Sequence, residues 1–150
     1  MPTIDTANVR RGFASIKITI GTTEVIVKSI SYGDGMDRGD IEGNARMSLG
    51  VSEGMYKADE ATADLYMDDF DALMDAMKDG YYEDSFEVVV VIGEGAGKTR
   101  TDTLKGCRMT KRAASDQSGP DALTRSVSFK PLYITVNGIA PLKNMPTGTK

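Results

Sequence analysis

At 150 residues the chain is long enough to bury a core without disulfides or metals, and no apolar run approaches the roughly 18 residues of a membrane span. It has no histidine and a single cysteine, Cys107, which excludes an internal disulfide, Ser-His-Asp and Cys-His catalysis, zinc fingers and zinc deaminases. With no tryptophan and a net charge of −4, a general nucleic-acid-binding surface is not expected either.

The small net charge conceals a segregation. Residues 1–58 balance seven basic against seven acidic side chains. Residues 59–87 carry eleven acids and one base, Lys78, and stand at −10. Residues 98–150 carry ten bases and three acids and stand at +7. Two arrangements relieve this: the segments meet within one folded chain, or they meet between copies, in the heterologous contacts that build rings and filaments.

In chain order, Ile16, Ile18 and Ile20 alternate with Ser15, Lys17 and Thr19, the period of a half-buried strand. Gly21-Thr22-Thr23 reads as a turn, and Glu24 to Tyr32 as the returning strand of a hairpin. Gly33 to Asn44 holds four glycines and four acids in twelve residues, which predicts a long exposed loop. Met47, Leu49 and Val51 then alternate with Arg46, Ser48 and Ser52, and a further strand is predicted from Glu60 to Met67.

One helix follows. Phe70, Leu73, Met74 and Met77 form an apolar stripe; Asp68 or Asp69 is placed to cap its start, Lys78 lies in its last turn and Gly80 stops it. Phe86 to Ile92 is an apolar run covered on both faces. Gly93 to Gly97 is a flexible turn, Thr99 to Thr110 a strand with one wet face, and Ala113 to Pro120 a loop. Ala122 to Val136 is the last long strand. Its apolar positions change parity at Pro131, which predicts a bulge and an edge-like position there. Residues 1–139 form one expected domain, and 140–150 a tail.

No chemical motif holds. Gly93 to Thr99 reads GEGAGKT, but a Walker A loop needs a glycine where Ile92 stands and a helix where Arg100 to Leu104 alternate like a strand. Asp34, Asp37, Asp40 and Glu42 lack the spacing of an EF-hand. Asp71 and Asp75 share a helix face that reads as wet surface. Met67, Met74 and Met77 read as core, and Cys107 as inert packing.

The order of parts is nonetheless distinctive. A hairpin (Gly12 to Tyr32) leads to a glycine-bearing loop and strand (Gly33 to Leu49), a polar strand, and a helix opening Asp-Asp-Phe-Asp-Ala-Leu. A valine-rich strand, a hairpin, a loop and a last strand, Ser126-Val127-Ser128-Phe129-Lys130-Pro131-Leu132-Tyr133-Ile134, complete it. From Gly12 to Ile139 this resembles the tail tube proteins of contractile-tailed bacteriophages.

The resemblance implies a mainly β fold: two packed antiparallel sheets, sandwich or barrel, with one short flanking helix. It implies hexameric rings whose inner strands join into one barrel, stacked as a tube that conducts DNA without sequence-specific binding. Sheath, tape-measure and baseplate proteins would be its partners. No enzymatic activity, cofactor or membrane is implied, and its place would be the virion tail after synthesis in the host cytoplasm. Bacteriocin and secretion-type injection tubes share this fold. Within the frame, Gly33, Asp34, Gly35, Asp37, Arg38, Gly39, Asp40, Glu42 and Gly43 form an expected assembly loop, mobile in the monomer. Ser126, Ser128 and Lys130 are expected to face the channel. A reading of another class is a monomeric Ca²⁺-dependent or carbohydrate-binding β-sandwich that uses the acidic loop.

Overall fold

Twelve strands and one helix make up the structure, a computed structural model that describes residues 16–93 and 99–146. Most of the Gly93 to Gly97 turn, and with it the Walker-like stretch, lies outside the described residues. In chain order the elements are β1 (Ile16–Ile20), β2 (Thr23–Val25), β3 (Val27–Ser31), β4 (Asp34–Asp37), β5 (Asp40–Ile41), β6 (Gly50–Val51), β7 (Met55–Ala58) and β8 (Ala61–Tyr66). They continue with α1 (Met67–Met77), β9 (Ser85–Ile92), β10 (Arg100–Ala114), β11 (Thr124–Lys130) and β12 (Tyr133–Val136).

The hairpin of β1 and β2 forms as its alternation predicts, with Ile18 opposite Val25. Its returning strand, however, is interrupted. The chain breaks at Ile26, which is 66% exposed, and resumes as β3. The break marks a change of partner, since β2 pairs with β1 whereas β3 pairs with β8, Val27 opposite Leu65. The sheet order runs β2-β1-β9-β10-β11-β8-β3, every pairing antiparallel. Its two ends are thus consecutive in sequence, so the sheet curls into a barrel that the chain itself closes.

Inside, large and small side chains alternate across strands. Phe129 lies opposite Ala61 and Val127 opposite Ala63, all fully buried, and the Phe129 ring meets Phe86 edge-on at 5.7 Å. The alanines of β8 leave the room that the phenylalanine fills. Helix α1 covers β2 and the ends of β8 and β11 with Phe70 and Leu73. Its start differs from expectation: Tyr66 holds the N-cap position without a side-chain hydrogen bond, and Asp68 and Asp69 sit in the first turn, where they face the positive end of the dipole. Lys78 lies just past the last turn at φ 61 and donates its N–H to the Met74 carbonyl.

Strand β10 runs four residues beyond the predicted end, because its second half pairs with β11 out to Ala114 opposite Arg125. Those residues are exposed on both faces, so no alternation announced them. Its first half pairs with β12, so β11 and β12 are one path along β10, broken at the predicted Pro131. Opposite that break Gly106 takes φ 65, and a Cβ there would meet Leu132 Cδ1 at 2.7 Å. Leu132 N–H restores the ladder by donating to the Lys105 carbonyl at 2.9 Å.

Gly106→Ala therefore combines a left-handed backbone with a steric conflict, and it is expected to cost about 1–3 kcal/mol. Gly119→Ala, with nothing within 4 Å of the added carbon, should stay within about 0.5 kcal/mol. Urea unfolding of the two variants checks the contrast; equal midpoints would contradict the packing described for Leu132.

Candidate functional site: a projecting arm and a hydroxyl face

Residues 33–59, predicted as loop and strand, form a two-stranded arm. β4 pairs with β7, Met36 opposite Tyr56, and β5 pairs with β6, Asp40 opposite Val51. The expected loop thus contains strands, and the expected strand around Met47 to Val51 shrinks to two residues. Both faces of the arm are wet, so its ladder forms without apolar alternation. At the bend between its halves Gly54 takes φ 85, where a Cβ would meet the Asp37 carbonyl oxygen and Arg38 Cγ at 2.7 Å. Ser52 closes the bend: its Oγ accepts the Gly39 N–H at 2.9 Å and its own N–H donates to the Gly39 carbonyl at 2.7 Å.

The arm carries apolar side chains that nothing among the described residues covers. Ile41, Met47, Leu49, Val51 and Met55 are between 53% and 76% exposed. All nine residues of the expected assembly loop lie on this arm or at its root: Gly33 at the root, Asp34, Gly35 and Asp37 on β4, Arg38 and Gly39 at the bend, Asp40 on β5, and Glu42 and Gly43 beyond it. Their carboxylates are strung out rather than convergent. Asp34 accepts from Tyr56 and Asp37 pairs with Lys57 at 3.8 Å. Among the described residues no three His, Cys, Asp or Glu side chains converge as a metal site would require.

A second surface has the opposite character. The outer side of β3, β8, β11 and β10 carries two rows, Ser31–Thr62–Ser128–Lys111 and Ser29–Asp64–Ser126–Ala113. Ser29 donates to Asp64 at 2.9 Å, and Thr62 and Ser128 hydroxyls lie 3.3 Å apart. Ser126 is partly exposed, Ser128 is 8% exposed, and Lys130 borders the rows, its Nζ donating to the Ala58 carbonyl at 2.6 Å.

The acidic and basic segments fold as neighbouring strands, β8 beside β11 and β9 beside β10. Among the described residues the ion pairs are Lys17–Glu24, Asp37–Lys57 and Asp116–Arg125. None joins the acidic segment to the basic one. The two segments do run side by side, with Arg108 donating to the Glu83 carbonyl, and at the end of α1 a groove of about 690 Å³ has Arg112 in its wall with Asp75 and Asp79, beside Phe70, Met74 and Tyr81.

Among the described residues three groups titrate away from their ordinary range; Cys107 was expected as inert packing, whereas no local pattern pointed to the two tyrosines. Tyr32, just past β3, donates to Asp102 of β10; burial, then that bond and its charge, raise the phenol. Tyr56 is pushed up to about 12, chiefly by burial and then by its bond to Asp34. The stabilisation from this neutral phenol is complete below pH 10 and is lost as pH rises toward about 12. Burial pushes the Cys107 thiol up to about 12, the behaviour of packing rather than of a nucleophile.

Neither a protein-family model nor a curated protein sequence matches the chain. Solved structures do. It superposes on the sheath/tube terminator of PVC, an extracellular contractile injection system in the extended state, with TM-score 0.69 at 9% identity, over 87% of this chain and 99% of that one. For a chain of the PVC sheath-tube complex in the extended state the TM-score is 0.66 at 10% identity, over 89% and 98%. For Hcp1 from Flavobacterium johnsoniae it is 0.54 at 13% identity, over 82% and 94%. At such identities the likeness establishes the fold. The chain has the mainly β, antiparallel, one-helix fold of tube-type components of contractile injection systems.

The strung-out carboxylates of the arm make a prediction. Millimolar calcium, or its removal by chelator, should leave the thermal midpoint unchanged. A calcium-dependent rise would revive the metal-binding reading of the arm.

Proposed function

We propose that this chain is a structural, non-enzymatic subunit of the inner tube of a contractile tail or injection particle, built to assemble with copies of itself. The observation that carries the reading is the match of fold over 99% of a tube terminator and 98% of a chain from a sheath-tube complex. The finer features follow the resemblance stated from the sequence. Copies close into hexameric rings and stack, and the rings bear a channel for DNA or another cargo. The sheath and baseplate that accompany related chains in their own particles are partners of the same kind here.

The two surfaces suit this division of labour. An arm with unburied apolar side chains is stable in water only at some cost, which a neighbouring copy relieves by covering it. The assembly residues Gly33 to Gly43 lie along that arm. The hydroxyl rows are suited to remain wet, and Ser126 and Ser128 with their row neighbours face the channel, Lys130 at the margin. The acidic and basic segments, which no ion pair among the described residues joins, add long-range attraction between copies, which acts mainly on the rate of encounter.

Electron microscopy of the purified protein tests the reading, with rods or rings of uniform width as the expected outcome and a monodisperse monomer at high concentration as the contrary one. Leu49→Asp, on the exposed arm, should shift stability by less than about 0.5 kcal/mol yet abolish assembly. Assembly unchanged by that charge would remove the arm from the contact. Nucleation should slow between 0.1 M and 1 M salt, as the screening length falls from about 10 Å to about 3 Å. A rate independent of salt would mean that the charged segments satisfy each other within the monomer.

A further inference from the structure

We infer that Tyr56 is a positioning residue: it latches the root of the arm to the last strand and so sets the direction in which the arm leaves the barrel. The latch is a property of the lone chain; only its consequence for assembly rests on the tube reading.

The backbone ladder thins at the arm's root, where between Ser31 opposite Thr62 and Asp34 opposite Ala58 it is carried by the Asp59 N–H on the Gly33 carbonyl. β4 and β7 pair with each other and β5 with β6, and none of the four joins the barrel sheet. Beyond the root the bend is held by the two Gly39–Ser52 hydrogen bonds, which tie the two strands of the arm together. Any swing is therefore concentrated where the arm meets the barrel, and the arm's length multiplies it at the tip. A two-stranded ribbon in water has little stability of its own to resist this.

One phenol oxygen bridges the gap. Tyr56, on β7, donates to Asp34 Oδ2 on β4 at 2.6 Å and accepts the Ile134 N–H of β12 at 3.0 Å. Three strands meet at that atom. Ile134 is on the edge strand β12, which pairs with β10 alone, so its outward N–H has the phenol where a neighbouring strand would otherwise stand. Lys130 supplies a second pin, to the Ala58 carbonyl, and Asp59 N–H closes the root onto the Gly33 carbonyl at 2.9 Å. The two pins to the barrel lie on either side of the Pro131–Leu132 break, so they resist rotation as well as separation. The phenol is the only one of these contacts that joins both strands of the arm to the sheet.

Nitroxide pairs at Lys17→Cys and Ser48→Cys report the arm's direction in the monomer, Cys107 being buried and unreactive. The distance distribution should be narrow in this background and broad once Tyr56→Phe is added. In the unlabelled chain, Tyr56→Phe should speed exchange of the Ile134 amide about tenfold while the barrel's urea midpoint holds. Asp34→Ala should loosen the arm, and Asp34→Asn, which keeps an oxygen acceptor for the phenol, should restore it. A narrow distribution in Tyr56→Phe, or unchanged Ile134 exchange, overturns the latch. If the parent chain never assembles but its arm is narrow and Tyr56-dependent, the latch stands and the tube reading falls. If both stand, Tyr56→Phe should nucleate tubes more slowly.

Discussion

A single stretch of chain, Thr23 to Ser31, serves two strands that are far apart in sequence. Its first part pairs with β1 and its second with β8. A sheet whose ends are covalently continuous has to curl, and curling gives one inside. The inward residues of every strand then find each other, with Phe129 against Ala61 and helix α1 laid over the end. Ile26 is left outside because the hand-over turns it away from both partners. Closure also disposes of most sheet edges, which in an open sheet would invite indiscriminate pairing.

What closure leaves over is as informative as what it buries. The arm departs between β3 and β8, and β12 keeps one edge beyond the end of β11. These two leftovers lie together, and Tyr56 joins them. Many of the exposed large apolar residues, Ile41, Met47, Leu49, Val51 and Met55, are carried away from the barrel on a ribbon too thin to bury them, while others, Ile26, Leu132 and Ile139 among them, stay exposed on the barrel. The outer rows of β3, β8, β11 and β10 bear serine, threonine and single opposed charges, and have no need of a cover.

Charge follows a similar division. The acids of residues 59–87 and the bases of residues 98–150 fold into adjacent parts of one barrel, yet the ion pairs among the described residues are made elsewhere. Exposed charges of this kind contribute little to a monomer's stability. Their field reaches into solvent beyond the surface, where it acts on a charged partner before contact.

Much of this was legible in the residues themselves. Where one face of an element is buried and the other wet, the pattern shows it: the isoleucines of β1, the stripe of α1 and the break at Pro131 appear in the structure where they were expected, although beyond the break only Ile134 of the expected apolar face is buried, Leu132 and Val136 standing exposed. The arm was hidden because both its faces meet water, so its strands need no alternation, and its glycines and acids resemble those of a loop. Sequence also could not divide β2 from β3 at Ile26, since the residues on either side suit a strand equally well and only the change of partner separates them. The outer rows become a surface only once four strands lie side by side. The contact of Tyr56 with Asp34 and Ile134 spans 22 and 78 residues. Local pattern reports which side of an element is dry, because burial repeats with the period of the backbone; which elements meet is decided by closure of the whole sheet, and that has no period to read.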